Sequence, residues 1–310
     1  MGGSQPDKVA LALAQGKNID AADVIALLGE LYSAGIGARD EAEALIAFDR
    51  SLADATAKWR EYFADTIADH IVRRREPRGT LDQDKADWLT TALAPAGRIA
   101  TAAGFEAVVR AIEDAKESPA SLAAFALKQI NDAVIAGEGP AIGRRVHFSR
   151  VIDAEDVVLI ARILHAAGGE AGHAVSQAEA EALFDLHDAS AASANDPAFD
   201  DLFFKAIADH LAAAAGHEVA PRSVILAPDP RLAERRSVFG RSRVSEEPGF
   251  RLPAGSISST TLGPEEVAWL SSQVMRDGQP TAAEYALLRL FAPDTRDPDP
   301  SLRRFLDHAA

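Results

Sequence analysis

The chain has 310 residues, a net charge of −15 and a composition that is 47% hydrophobic and 25% charged, which marks globular material in one large or two ordinary domains. The acidic balance argues against a nucleic-acid backbone as the main partner. The lack of cysteine excludes disulfides, thiolate zinc sites, iron–sulfur clusters and a Cys nucleophile, and it suits a cytoplasmic protein.

Residues 1–18 form an N-terminal segment without the charged, apolar, small-residue layout of a signal peptide. No apolar run approaches a membrane span, so no membrane insertion is expected. Asp20 sits where an N-cap belongs, ahead of Val24, Ile25, Leu28 and Leu31 at helical spacing, and Gly35 should stop that helix. A second helix should start near Asp40 with Glu41 and Glu43 in its first turn, where carboxylates complement the helix dipole. A third carries Trp59, Phe63, Ile67 and Ile71 on one stripe. Three more should follow Asp82, Thr101 and Pro119.

The same signals then return. Ile19–Val24 reappears as Ile152–Val157, Glu41–Leu45 as Glu179–Leu183 and Ile67–His70 as Ile207–His210. Trp88-Leu89 reappears as Trp269-Leu270, and Thr101–Ala103 as Thr281–Ala283. The offsets change only in steps: 133, 138, 140 and then 180 or 181. Matches in one order with stepped offsets point to a duplication. The expected fold is therefore all-α, with two homologous six-helix halves at 19–140 and 150–310 and a linker at 141–149. The largest step marks an insert at 217–262 in the second half. Its prolines and glycines forbid a continuous helix, and Ser223–Leu226 reads as a short extended piece.

Helix–turn–helix units in both halves share a pattern: Gly ends one helix and a polar residue opens the next, with an early Glu. The clearest runs from Met275 through Asp277-Gly278 and Thr281 to Glu284 and Tyr285. This layout resembles the TerB-like family, all-helical domains named after a tellurite-resistance protein. The resemblance covers most of both halves in architecture and matches specific residues at Asp277, Gly278 and Glu284. It implies a divalent-metal role for Asp277 and Glu284, because acidic residues near these turns are linked with metal binding in that family.

No nucleophile elbow, phosphate-cradling loop, dinucleotide fingerprint or zincin helix is present in the sequence. His165, His173, His187, His210 and His217 crowd the second half among Glu170, Asp185, Asp188 and Asp209, but none is spaced to share a helix face. Surface or capping roles are the expectation for them. The recurring Asp69-His70 and Asp209-His210 pairs cannot form ready dyads, since adjacent helical residues diverge; a helix-end or inter-helix hydrogen bond is expected. The insert carries seven arginines against five acids on an otherwise acidic chain. Arg231, Arg235, Arg236, Phe239, Arg241 and Arg243 are its candidate partner-binding residues, aimed at an acidic surface. The expected function is a non-catalytic binding or scaffold protein with no cofactor, engaging a protein partner or a second copy of itself. The alternative is a metal-binding stress-response protein, and the third reading an enzyme using the second-half His/Asp cluster.

Overall fold

The structure, a computed structural model, describes residues 35–52, 55–141, 143–144, 150–229, 250–276 and 278–291. It is predominantly helical and divides into two compact units, Met1–Phe148 and Ser149–Ala310. Among the described residues no helix is long and apolar enough to cross a membrane. The helices expected from Asp20 and after Pro300 lie outside the described residues.

The first unit contains α1 (Arg39–Ser51), α2 (Ala57–Ala68), a π-helical continuation over Asp69–Arg74, α3 (Gln83–Leu93), α4 (Ala102–Asp114) and α5 (Ala120–Ala136). Four of these starts have a polar side chain on the backbone N–H groups. Thr56, Asp82 and Thr101 accept from the backbone N–H groups of Trp59, Lys85 and Gly104 at 3.2, 2.9 and 3.0 Å. At α1 the cap position is Ala38, and the Glu41 carboxylate takes over by accepting from Gly37 N and Ala38 N. The stripe of Trp59, Phe63, Ile67 and Ile71 is buried throughout. It packs most closely against α4, whose Ala103, Ala107 and Ala111 let the two helices approach. After α5 the left-handed Gly137 turns the chain into a two-residue antiparallel pair, β1 (Glu138–Gly139) with β2 (Gly143–Arg144), which falls outside the insert, where no strand was expected.

The second unit contains α6 (Ala154–Ala167), α7 (Gln177–Ser190), α8 (Pro197–Ala214), a single turn α9 (Arg222–Ile225), α10 (Pro264–Val274) and α11 (Ala282–Phe291). Asp153 with Asp156 and Ser176 with Glu179 form capping boxes, so two donors are met at each helix start. The α8 helix is the centre: Phe199, Phe203, Ile207 and Leu211 are fully buried, and it packs against α6, α7 and α11. The Ser223–Leu226 stretch is helical rather than extended. Pro221, at φ −53°, leads straight into the turn, and Ile225 and Leu226 bury themselves from it.

The two Asp-His pairs resolve into one shared contact and one difference. His70 Nδ1 lies 3.0 Å from the Ile36 carbonyl, and His210 Nδ1 lies 2.9 Å from the Val175 carbonyl. Each histidine thus ties the third helix to the segment entering the second, and neither serves as a helix-end charge. Each ring also meets a tryptophan edge-on, His70 with Trp88 and His210 with Trp269. Burial holds both imidazoles below the usual histidine range, so they are neutral at pH 7. The aspartates diverge. Asp69 pairs with Arg74 near the surface, whereas Asp209 is fully buried and accepts from Val175 N at 2.6 Å. Asp209 and His210 therefore grip the N–H and the carbonyl of one residue.

Burial pushes the Asp209 carboxyl up to about 6, against the pull of the Val175 N–H and Arg222. An unfolded aspartate releases its proton near 3.9. The native state consequently binds more protons in that interval, and this group's contribution to stability falls as pH rises from about 4 to 6. Asp209→Asn keeps an acceptor for Val175 N and removes the titration. Urea unfolding from pH 4 to 7 should show wild type losing about 2–3 kcal/mol relative to the variant as pH rises across the interval. A difference that stays flat would contradict the assignment.

Candidate functional site

Two places in the second unit bring chemistry-bearing side chains together. The first is the root of the insert. Val219 and Ile257 form an antiparallel bridge, flanked by Ala220 N to Ser256 O at 2.7 Å and Ser258 N to Glu218 O at 2.9 Å. The chain thus leaves the domain and returns to it at one point. Arg222, in the turn after this bridge, is 3% exposed. Its guanidinium meets both Glu179 oxygens at 2.7 and 2.8 Å, a bidentate pair. It also donates to the carbonyls of Leu164, His173 and Ala174, at the end of α6 and in the loop before α7. All five N–H donors are met. Gly168 makes room for this, since a Cβ there would sit 3.0 Å from Arg222 Cδ.

Lys205 on α8 secures the next stretch. Its Nζ donates to Asp201 Oδ2 and to the Ala227 carbonyl, both at 2.6 Å. Burial pushes the Asp201 carboxyl above its usual range while Lys205 pulls it down. On the returning segment Phe250 meets Phe204 with ring centroids 5.4 Å apart. Both ends of the insert therefore belong to the packed unit. Removing all of 217–262 would therefore leave Glu179 buried without a cation. The candidate partner residues Arg231, Arg235, Arg236, Phe239, Arg241 and Arg243 lie outside the described residues.

The second place is the junction of α7, α8 and α11. His187 is 2% exposed, stacked on Phe203 at 4.0 Å between centroids and 6° between planes. Its Nε2 lies 3.4 Å from Asp200 Oδ1, and its Nδ1 is buried without a hydrogen-bond partner. Ligand atoms of His187, Asp188 and Glu284 lie within 4.8 Å of one another. Glu284, one of the two residues implied as metal ligands, is also 2% exposed. Its Oε2 accepts from Thr281 N at 2.7 Å and Thr281 Oγ1 at 2.9 Å, so it caps α11 as well. Burial raises its carboxyl above the usual range, with Thr281 and His187 acting the other way. Asp277, the other implied ligand, lies outside the described residues. Arg276 holds Asp188 Oδ2 at 2.6 and 3.2 Å and Asp185 at 2.7 Å. A cleft of about 390 Å³ opens beside His187, bounded also by Asn195, Asp200 and Thr281.

The sequence counted Arg222 only as one of the insert's seven arginines, with no sign of its pairing with Glu179, and gave His187 a surface or capping role that its burial overturns. The remaining second-half histidines do not join the cluster. His217 Nε2 contacts the Thr261 carbonyl, His173 is exposed and His165 is half-buried. The paired glutamates divide: Glu41 and Glu179 serve helix starts, while Glu43 is exposed beside Arg39 and Trp88, and Glu181 accepts from Gln177.

Lys205→Met should destabilise the second unit by about 3 kcal/mol, because it leaves the Asp201 carboxylate and the Ala227 carbonyl buried without their donor. Adding Asp201→Leu should recover much of that loss in urea unfolding. A single variant within about 0.5 kcal/mol of wild type would show that Lys205 does not carry the root. No family model matches this chain, and no curated protein or solved structure matches it.

Proposed function

We propose that the chain is a non-catalytic cytoplasmic binding protein built from two diverged copies of one TerB-like helical fold. In this reading the second copy engages an acidic protein surface through its insert. The copies are supported by contacts that recur at the repeated positions. His70 and His210 bond the backbone before the second helix, Trp88 and Trp269 meet those rings, and Thr101 and Thr281 cap the fifth.

The observation that carries the binding role is the root of the insert. Val219 pairs with Ile257, Arg222 and Lys205 clamp one end, and Phe250 packs the other onto α8. Fastening both ends lowers the entropy that a long excursion would lose on binding. Five arginines, Arg231, Arg235, Arg236, Arg241 and Arg243, lie between those ends in a chain of net charge −15. Arginine there favours a carboxylate-bearing protein surface by bidentate pairing. The partner is a second copy of this acidic chain or another acidic protein.

The test replaces those five arginines with serine and, separately, excises 230–249 between the fastened ends. Both variants should keep the wild-type circular dichroism and melt within about 3 °C of it. Sedimentation of the purified chain would detect self-association. Capture on immobilised wild-type and variant protein at 50 and 300 mM salt would detect other partners. A complex formed by wild type, weakened by salt and lost in both variants is expected. The same complex with the same salt response in all three proteins would overturn the reading.

A further inference from the structure

We infer that His187, Asp188 and Glu284 form a binding site for one first-row divalent cation of the zinc type, separate from the insert and independent of its proposed role. Burial is the first reason. The His187 imidazole is 2% exposed and flat against Phe203, yet its Nδ1 has no hydrogen-bond partner. Buried polar atoms in folded proteins are ordinarily paired, and an unpaired one signals a missing ligand or a strained site. Histidine nitrogen is also the commonest side-chain metal ligand.

The neighbours supply the second reason. A ligand nitrogen of His187 and carboxylate oxygens of Asp188 and Glu284 lie within 4.8 Å of one another. They come from two helices, α7 and α11, and both buried helices are rigid supports. Thr281 fixes Glu284 through Oε2, and Arg276 fixes Asp188 through Oδ2. Arg276 is shared with Asp185.

The donor set selects the kind of metal. Calcium takes six to eight oxygens, and magnesium keeps most of its water. One imidazole with two carboxylates suits zinc and its first-row neighbours, with water as the fourth ligand. The cleft of about 390 Å³ that His187 lines gives water a way in. Tetrahedral zinc places its ligand atoms about 3.3 Å apart. The three ligand atoms already lie within a 4.8 Å span, so reaching that spacing needs only small side-chain rotation.

The first copy lacks these donors. At the matching positions it has Asp49, Arg50 and Gly104. Asp49 is already engaged, accepting from Trp59 Nε1 at 2.8 Å and from Thr101 Oγ1. The proposed site belongs to the second unit alone.

The test is calorimetric titration of the metal-stripped full chain with zinc chloride, followed by cobalt substitution and its visible spectrum. Wild type should bind one zinc per chain, raise its melting temperature on binding and give cobalt bands of a four-coordinate site. His187→Gln and Glu284→Gln should each weaken zinc binding tenfold or more, and the exposed control His173→Gln should bind as wild type. Asp188 is partly exposed, with 23% side-chain exposure, so Asp188→Asn tests the site even where the buried variants fail to fold. It should weaken binding and alter the cobalt spectrum. An absence of zinc binding, or binding that survives Asp188→Asn unchanged, would overturn the site.

Discussion

A guanidinium taken out of water must be met on every donor, and Arg222 meets that demand with five acceptors drawn from three segments of the second unit. Leu164 brings the end of α6, His173 and Ala174 bring the loop, and Glu179 brings the first turn of α7. The same Glu179 caps that helix by accepting from Ser176 N and Oγ. One ion pair therefore sets where α6 ends, how α7 begins and where the insert leaves the domain. The first unit handles the corresponding place with local chain. Arg74 lies against Gly35, where a Cβ would overlap its guanidinium, and its partner Asp69 is five residues away in the same π-helical segment. Only in the second unit is the arginine supplied by the insert.

That contrast organises the functional reading. The first unit uses its polar core residues on itself: Asp49 ties Trp59 to Thr101, and Lys85 gathers the carbonyls of Arg75, Pro77 and Thr80 into a short turn. The second unit directs the comparable chemistry outward. Lys205 fastens the insert, and His187 borders a cleft with acids from two helices. Under the proposed duplication, the first copy keeps a structural version of the fold and the second carries the additions through which the protein meets a ligand or partner.

Much of this fold was legible because its signals are local. The N-caps at Asp82 and Thr101 and the stripe from Trp59 act within one or two helical turns. The site was largely illegible because its contacts are not local. Arg222 finds Glu179 across 43 positions, and no spacing rule links His187 to Glu284. Ser223–Leu226 misled because Val224 and Ile225 favour strands, whereas Pro221 and the burial of Ile225 and Leu226 decide for a helical turn. One usable signal did exist in the comparison of the halves: His187 stands at the position of Asp49, and Glu284 at that of Gly104. Under the proposed duplication, differences at buried positions mark where the second half departs from the first.

The central claim is that the insert is built into the second unit through Arg222 and Glu179. A double-mutant cycle with Arg222→Met, Glu179→Leu and the combined variant, read by urea unfolding, measures it most directly. Each single change should cost about 3–5 kcal/mol by stranding a buried charge. The combined variant should be more stable than the sum of the two predicts, with a coupling energy of about 2 kcal/mol or more. Additive losses, or single losses below about 1 kcal/mol, would contradict the account and make the insert an appendage rather than a part of the core.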